Sequence, residues 1–239
     1  MSNGRSREAT DFDRVAEVYD ESLPRHVVEH YLSKRLAFIR RYASVGPALD
    51  VGCGTGQLAE RVADAGYPVV GLDPSPGMLD QLRRRRPDIA AVVGDGTALP
   101  FPDGTFALTY CVAVLHHVAH PDAVRRTLTE MARVTRPGGH VLIWDHNPLN
   151  PYWPILMRRV PQDTGAERLI PTEEIVDGLS AAYARPVVIR QTGLVPDFVP
   201  PRLLRAAGAA ERFAEATPLI RRFCAHNVVL AQKDVAPTG

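Results

Sequence analysis

The chain has 239 residues, a formal net charge of +1 and 45% hydrophobic residues, so it can build a sizeable core. So balanced a charge creates no global field to recruit nucleic acid or acidic lipid, and neither is expected as a partner. Cys53, Cys111 and Cys224 are too few and too scattered for a disulfide framework or a zinc site, which points to a reduced, cytoplasmic setting.

Residues 1–10 are polar and do not read as a signal peptide. No uncharged apolar run reaches membrane-spanning length. Basic residues are almost all arginine, with lysine only at Lys34 and Lys233, a bias of high-GC coding. In chain order, the apolar spacing predicts a helix over 11–23, broken at Pro24, and a second over 26–42. Strands are expected at 48–51, 69–72, 90–93, 106–112 and 140–145, with helices at 56–65, 76–85 and 121–135. Ser75 followed by Pro76 is a good start signal for the second of these helices. Regular alternation argues a mostly parallel sheet covered on both faces, with ligands beyond the carboxyl ends of the strands.

After Asp145 the rhythm breaks. Residues 147–169 are proline-rich and aperiodic. A helix is expected at 173–183, strands at 187–191 and 226–231, and proline turns with short helical pieces over 192–225. The tail 234–239 reads as frayed.

The chemistry begins at Leu49-Asp50-Val51-Gly52-Cys53-Gly54-Thr55-Gly56. A short strand ends in a carboxylate and turns through three alternating glycines into a helix. Glycine has no Cβ to obstruct a bound ligand and tolerates positive φ. Asp50 would repel a diphosphate but attract an ammonium group. The dinucleotide fingerprint is spaced G-x-G-x-x-G, whereas these glycines alternate, which sets the nicotinamide reading aside. Asp73 closes the second strand, where a carboxylate can accept both hydroxyls of a ribose. Gly94-Asp95-Gly96 follows the third strand, where an aspartate and the next amide can read the edge of adenine. His116 and His117 follow the fourth strand, and Asp145 and His146 end the fifth, all expected to point toward the crevice.

These elements, with Arg136-Pro137-Gly138-Gly139, resemble the class I S-adenosylmethionine-dependent methyltransferases over residues 45–145. Phe12-Asp13 and Tyr19-Asp20 look like the helical lid of the small-molecule members. The resemblance implies a Rossmann-like, seven-stranded, mostly parallel α/β sheet with an antiparallel C-terminal hairpin. It implies S-adenosyl-L-methionine as cofactor: Asp50 on the methionine ammonium, Gly52, Gly54 and Gly56 along the cofactor, Asp73 on the ribose with Met78 nearby, and Asp95 and Gly96 on adenine. Val112 and His116 would line the methyl-transfer end, and Tyr19 would close over the amino acid part.

A single domain over 1–239 is expected, with a lid (1–44), a cofactor core (45–146), an acceptor side (147–225) and a last strand with tail (226–239). The acceptor would be a small molecule methylated on oxygen before carbon or nitrogen, in bacterial specialised metabolism. The alternative is a cyclisation, rearrangement or decarboxylation on the same cofactor, and a pure binding module is a third reading. Candidate proton acceptors are His117, Asp145 and His146. For His116 packing or cofactor contact is preferred. Asp145 with Asn147 could ligate Mg²⁺, but the aspartate-asparagine dipeptide of metal-dependent relatives is missing, so no metal is expected. Arg83-Arg84-Arg85-Arg86, Arg158-Arg159 and Arg221-Arg222 read as solvated, the first run also complementing a helix end. A monomer or homodimer fits this reading.

Overall fold

The computed structural model describes residues 11–118, 120–157 and 167–235. Its strands are β1 (Ala48–Val51), β2 (Val69–Asp73), β3 (Ala90–Val93), β4 (Phe106–Val112), β5 (Thr135–His146), β6 (Ala184–Thr192) and β7 (His226–Lys233). Among the described residues they form one sheet in the order β3-β2-β1-β4-β5-β7-β6. The first five strands run parallel, whereas β7 pairs antiparallel with both β5 and β6. The strand order reverses at β1, so β1 and β4 open a crevice between their carboxyl ends.

The helices are α1 (Phe12–Val15), α2 (Arg25–Tyr42), α3 (Gln57–Asp64), α4 (Pro76–Arg85), α5 (Leu115–Val118), α6 (Pro121–Val134), α7 (Trp153–Leu156), α8 (Thr172–Ala181), α9 (Leu204–Ala216) and α10 (Pro218–Arg221). They cover both faces of the sheet. Side-chain alternation along β5 sorts its apolar residues between two cores. Val141 and Ile143 join Leu128, Met131 and Leu179 under α6 and α8. Leu142 and Trp144 join Leu32, Ile39 and Leu82 under α2 and α4. Each such buried side chain contributes about 1.5–3 kcal/mol over exposure.

The fold matches the expected class and corrects several local expectations. The helix foreseen over 11–23 is a strap containing α1 and a 3-10 turn, Tyr19–Glu21. Tertiary latches hold it: Asp13 Oδ1 accepts from Ser75 Oγ at 2.6 Å and the Gly77 amide at 2.8 Å. Asp20 accepts from Thr55 Oγ1 at 2.6 Å and pairs with Arg85. Ser75 accepts from the Met78 amide as the cap of α4, as its sequence indicates. Arg83 pairs with Asp80 of its own helix, but Arg86, 20% exposed, pairs with Asp64 of α3 and with Asp88, and Arg85 latches the strap, so the run is solvated only in part.

The segment 192–225 holds a long helix, α9, beside the expected short pieces, a 3-10 turn at Pro201–Leu203 and α10. Its buried face is Gly208, Glu211 and Ala214, so the usual stripe of large apolar residues is absent. Glu211 replaces it by accepting from His30 at 2.6 Å, the Leu194 amide at 2.9 Å and Lys34 at 3.0 Å. Burial opposes the charge, but these partners hold the carboxyl down to about 2. The expectations for 1–10, Arg158-Arg159 and 236–239 lie outside the described residues.

Candidate active site

A cavity of about 830 Å³ opens above the carboxyl ends of β1, β4 and β5. The glycine turn forms its floor. Gly52, Gly54 and Gly56 have φ of +73°, +53° and +81°, a region L side chains rarely adopt. A Cβ on Gly52 would come within 2.5 Å of Val114 Cγ2, whereas one on Gly54 would meet nothing within 4 Å. Gly54 thus presents bare backbone to the cavity. Gly56 is absent from the cavity wall; its glycine is needed where α3 packs on Leu82, 2.3 Å from a Cβ.

Asp73 ties the turn to β2. Its Oδ2 accepts from the Gly54 amide and its Oδ1 from the Ser75 amide, both at 2.9 Å. Burial pushes its carboxyl up, partly offset by those two amides. Asp50 is buried at the end of β1 beside the Tyr110 hydroxyl. Burial pushes its carboxyl up to about 8, and the charge of Asp73 adds to the rise. Both carboxylates line the cavity, with Met78 and Val112. The strap closes it from above with Phe12, Tyr19 and Leu23.

Asp95 and Gly96 stand outside the cavity wall, which reaches Asp73, Pro74 and Met78. Asp95 is exposed and accepts from the Thr97 amide at 2.8 Å. Gly96 backs onto Val51 and Thr127. They lie next door, since the Gly94 amide donates to Asp73 O at 3.1 Å.

Asp145 does not point into the crevice, contrary to expectation. The chain leaves β4 through Ala113, at φ +58°, and turns into α5. The carboxylate of Asp145 sits under that helix start, accepting from the amides of Val114 at 3.1 Å and Leu115 at 2.7 Å. It also accepts from the His146 amide at 2.7 Å and meets His116 Nδ1 at 2.8 Å. Burial opposes the charge, but His116 and the amides hold the carboxyl below its ordinary range. Asp145 thus meets the ring of His116 and the backbone of His146 in place of the cavity.

His116 and His117 belong to α5 and not to the end of β4, and both line the cavity with His146. The rings form a stack: His116 lies 4.0 Å from His117 and 4.0 Å from His146, and His146 lies 3.6 Å from Trp153. Burial and His116 push His117 down to about 3. Burial and the neighbouring rings push His146 well below its usual value. Both are neutral at physiological pH. Among the described residues, no partner meets the buried Nδ1 of His146.

Two cavity residues escaped the sequence reading. His226 starts β7 directly opposite His146 in the antiparallel register, and burial pushes it down to about 3. Only that register brings it to the site. Arg35 lies on the inward face of α2, its guanidinium 5.9 Å from the Tyr31 ring and 6.0 Å from the Trp144 ring. Burial pushes it down, opposed by Tyr31, Tyr19, Asp50 and Asp145. Among the described residues it makes no ion pair, and its buried Nε has no partner. The available signal was its position four after Tyr31 and three after Leu32, on an otherwise apolar stripe.

His116, Asp145 and His146 have ligand atoms within 4.8 Å of one another. The oxygens of Asp145 are already engaged by three amides and His116, so metal ligation there would displace that network.

The "Methyltransferase domain" family matches residues 49–143. A demethylmenaquinone methyltransferase of Renibacterium salmoninarum is 40% identical over 164 residues, covering 62% of this chain and 68% of that protein. One from Paenarthrobacter aurescens is 39% identical over the same length, covering 62% and 64%. The matched region thus spans about two thirds of these relatives. A Thermotoga maritima structure described as a SAM-dependent methyltransferase, possible histamine N-methyltransferase, has a TM-score of 0.68 at 18% identity, covering 93% of this chain and 98% of that one. The chain belongs to the class I S-adenosylmethionine-dependent methyltransferases. S-adenosyl-L-methionine is the family's cofactor.

The residues fit that cofactor. Its amino acid end carries one ammonium and one carboxylate, and the cavity offers buried Asp50 and half-buried Arg35. Its ribose is a diol, and Asp73 is a carboxylate fixed beside bare backbone at Gly54.

Proposed function

We propose that this protein transfers a methyl group from S-adenosyl-L-methionine to the oxygen of a small, largely apolar acceptor. The observation that carries this reading is the convergence of Asp50, Asp73 and Arg35 on one cavity roofed by aromatic side chains. The chain would work as one domain, with 1–44 as lid, 45–146 as cofactor core, 147–225 as acceptor side and 226–239 as the closing strand. No helix among the described residues is long and apolar enough to cross a membrane.

When bound, the cofactor supplies a methyl group on a sulfonium, already activated toward displacement. Asp50 holds the ammonium and Arg35 the carboxylate, with Tyr19 closing over both. Asp73 takes the ribose hydroxyls. Met78 packs beside the ribose, and Asp95 and the Gly96 amide read adenine from the adjoining loop. Val112 and His116 line the reacting end. Orienting two reactants in line is worth about 7–11 kcal/mol in favourable cases.

His146 lines the cavity as a neutral ring, and we assign that ring the role of accepting the hydrogen of the acceptor hydroxyl. His117 is a second neutral acceptor. Asp145 is a positioning residue, fixing His116 and the start of α5. The apolar walls Tyr152, Trp153, Leu156 and Val195 suit a planar acceptor, and the name of the two relatives, demethylmenaquinone methyltransferase, supports a ring compound of that kind.

Calorimetric titration with S-adenosylhomocysteine and with NAD separates this reading from a dinucleotide site. Binding of NAD alone overturns it. Incubation with cofactor and hydroxylated aromatic acceptors is then read by mass spectrometry. Gain of one methyl supports transfer, and an isomerised or decarboxylated product supports the non-methylating alternative.

A further inference from the structure

The side chains that continue outward from the cavity mouth carry a separate message. Phe198 and Phe223 line the cavity and are also exposed to solvent, by 69% and 46%. From them the surface runs along 194–223 through Leu203, Phe213 and Leu219, which are 50%, 68% and 75% exposed. Isolated apolar side chains on a surface are ordinary; several large ones in one segment, two of which also line an apolar cavity, are the mark of an interaction site.

The charge of this segment is one-sided. It holds five arginines, at 202, 205, 212, 221 and 222, and among the described residues none pairs with a carboxylate. Its three acids are turned away from solvent or engaged. Asp197 accepts from Tyr152, while Glu211 and Glu215 face the cluster of His30, Lys34 and Arg190. The Arg222 guanidinium lies 5.1 Å from the Phe223 ring, so cation and aromatic face outward together. A net charge of +1 for the chain conceals this face because the compensating acids lie elsewhere.

We infer that the 194–223 cap is a docking surface for an anionic lipid bilayer. Exposed Phe and Leu side chains would enter the boundary between headgroups and acyl chains, while the arginines meet lipid phosphates. Charge complementarity favours this occupant over a second copy of the chain, since two such basic faces would repel. Docking would seat the cavity mouth on the membrane, so that an acceptor dissolved in lipid could pass between Phe198 and Phe223 without crossing water. This last step rests on the methyl-transfer reading; docking itself does not.

The test is sedimentation of the full chain with phosphatidylcholine vesicles, with and without phosphatidylglycerol. Binding is expected with phosphatidylglycerol, weakening as salt is raised. Loss of two cap arginines in Arg205→Glu/Arg212→Glu should weaken partitioning at least about tenfold, by the usual cost of removing juxtamembrane cations. Phe213→Ser/Leu219→Ser, outside the cavity wall, should weaken it similarly. S-adenosylhomocysteine affinity should be unchanged in both variants, which shows that they are folded and keeps the cofactor reading separately testable. Failure to bind anionic vesicles, equal binding to phosphatidylcholine alone, or undiminished binding by both variants overturns the inference. So does a dimer in sedimentation velocity that dissociates in Phe213→Ser/Leu219→Ser while vesicles stay unbound.

Discussion

The backbone amide of Gly54 donates to Oδ2 of Asp73 across 2.9 Å, joining the turn after β1 to the end of β2. One carboxylate therefore sets the shape of the glycine turn and also faces the cavity. Its other oxygen holds the Ser75 amide at the start of α4, so the loop after β2 is fixed by the same group.

Asp73→Asn tests this double duty. The amide oxygen can serve one backbone amide, and the charge is gone. Because hydrogen bonds to charged groups contribute about 1.5–3 kcal/mol, S-adenosylhomocysteine should bind about 10–100-fold more weakly in calorimetry. The variant should keep the circular dichroism spectrum of the parent. Unchanged affinity would show that the ribose lies elsewhere.

Asp50 makes cofactor affinity depend on pH. Burial raises its carboxyl from 3.8 to about 8, so for the protein alone its ionisation is a cost that grows as pH rises through that window. An ammonium group brought against it favours the carboxylate. Binding below pH about 8 must then release a proton. Affinity for S-adenosylhomocysteine should rise by up to about tenfold per pH unit from 6 toward 8 and level off above it. Titrations in buffers of different ionisation enthalpy would read the proton directly, and a flat profile would remove Asp50 from the ammonium site.

Arg35→Met removes the half-buried guanidinium but keeps much of its apolar stem. A charge-assisted pair to a carboxylate is lost, so S-adenosylhomocysteine should bind at least about tenfold more weakly. Methylthioadenosine, which lacks the amino acid end, should bind the variant and the parent alike. An equal loss for both ligands would mean that Arg35 shapes the cavity without meeting the methionine carboxylate.

His146→Phe retains a ring to stack on Trp153 and deletes both ring nitrogens. Turnover should fall about 10²-fold or more, the low end for loss of general-base help, with S-adenosylhomocysteine affinity kept. A variant turning over at the parental rate would transfer the role to His117 or show that no base is needed.

The glycine turn and the strand ends around it were legible because their signals are local. Alternating glycines with an acid two residues ahead describe a turn that consecutive residues must make whatever surrounds them. The cap at Ser75 and the alternation of strand and helix are equally short-range. The misread parts lacked such signals. The strap 11–23 was read as a helix, yet Asp13 and Asp20 hold it to residues more than 30 positions away. The long helix over 204–216 was missed because its inward face is Gly208, Glu211 and Ala214.

By itself the sequence determined the parallel strands, the glycine turn and the strand-end carboxylates, because each rests on backbone constraints imposed within a few residues; the class of cofactor and the seven-stranded sheet followed from the family resemblance those residues carry. Only the tertiary structure decided that Asp145 turns under α5, that His226 faces His146, and that Arg35 enters the cavity with no ion pair among the described residues. Those outcomes depend on strand register and helix docking, in which groups far apart in the chain compete for the same buried space.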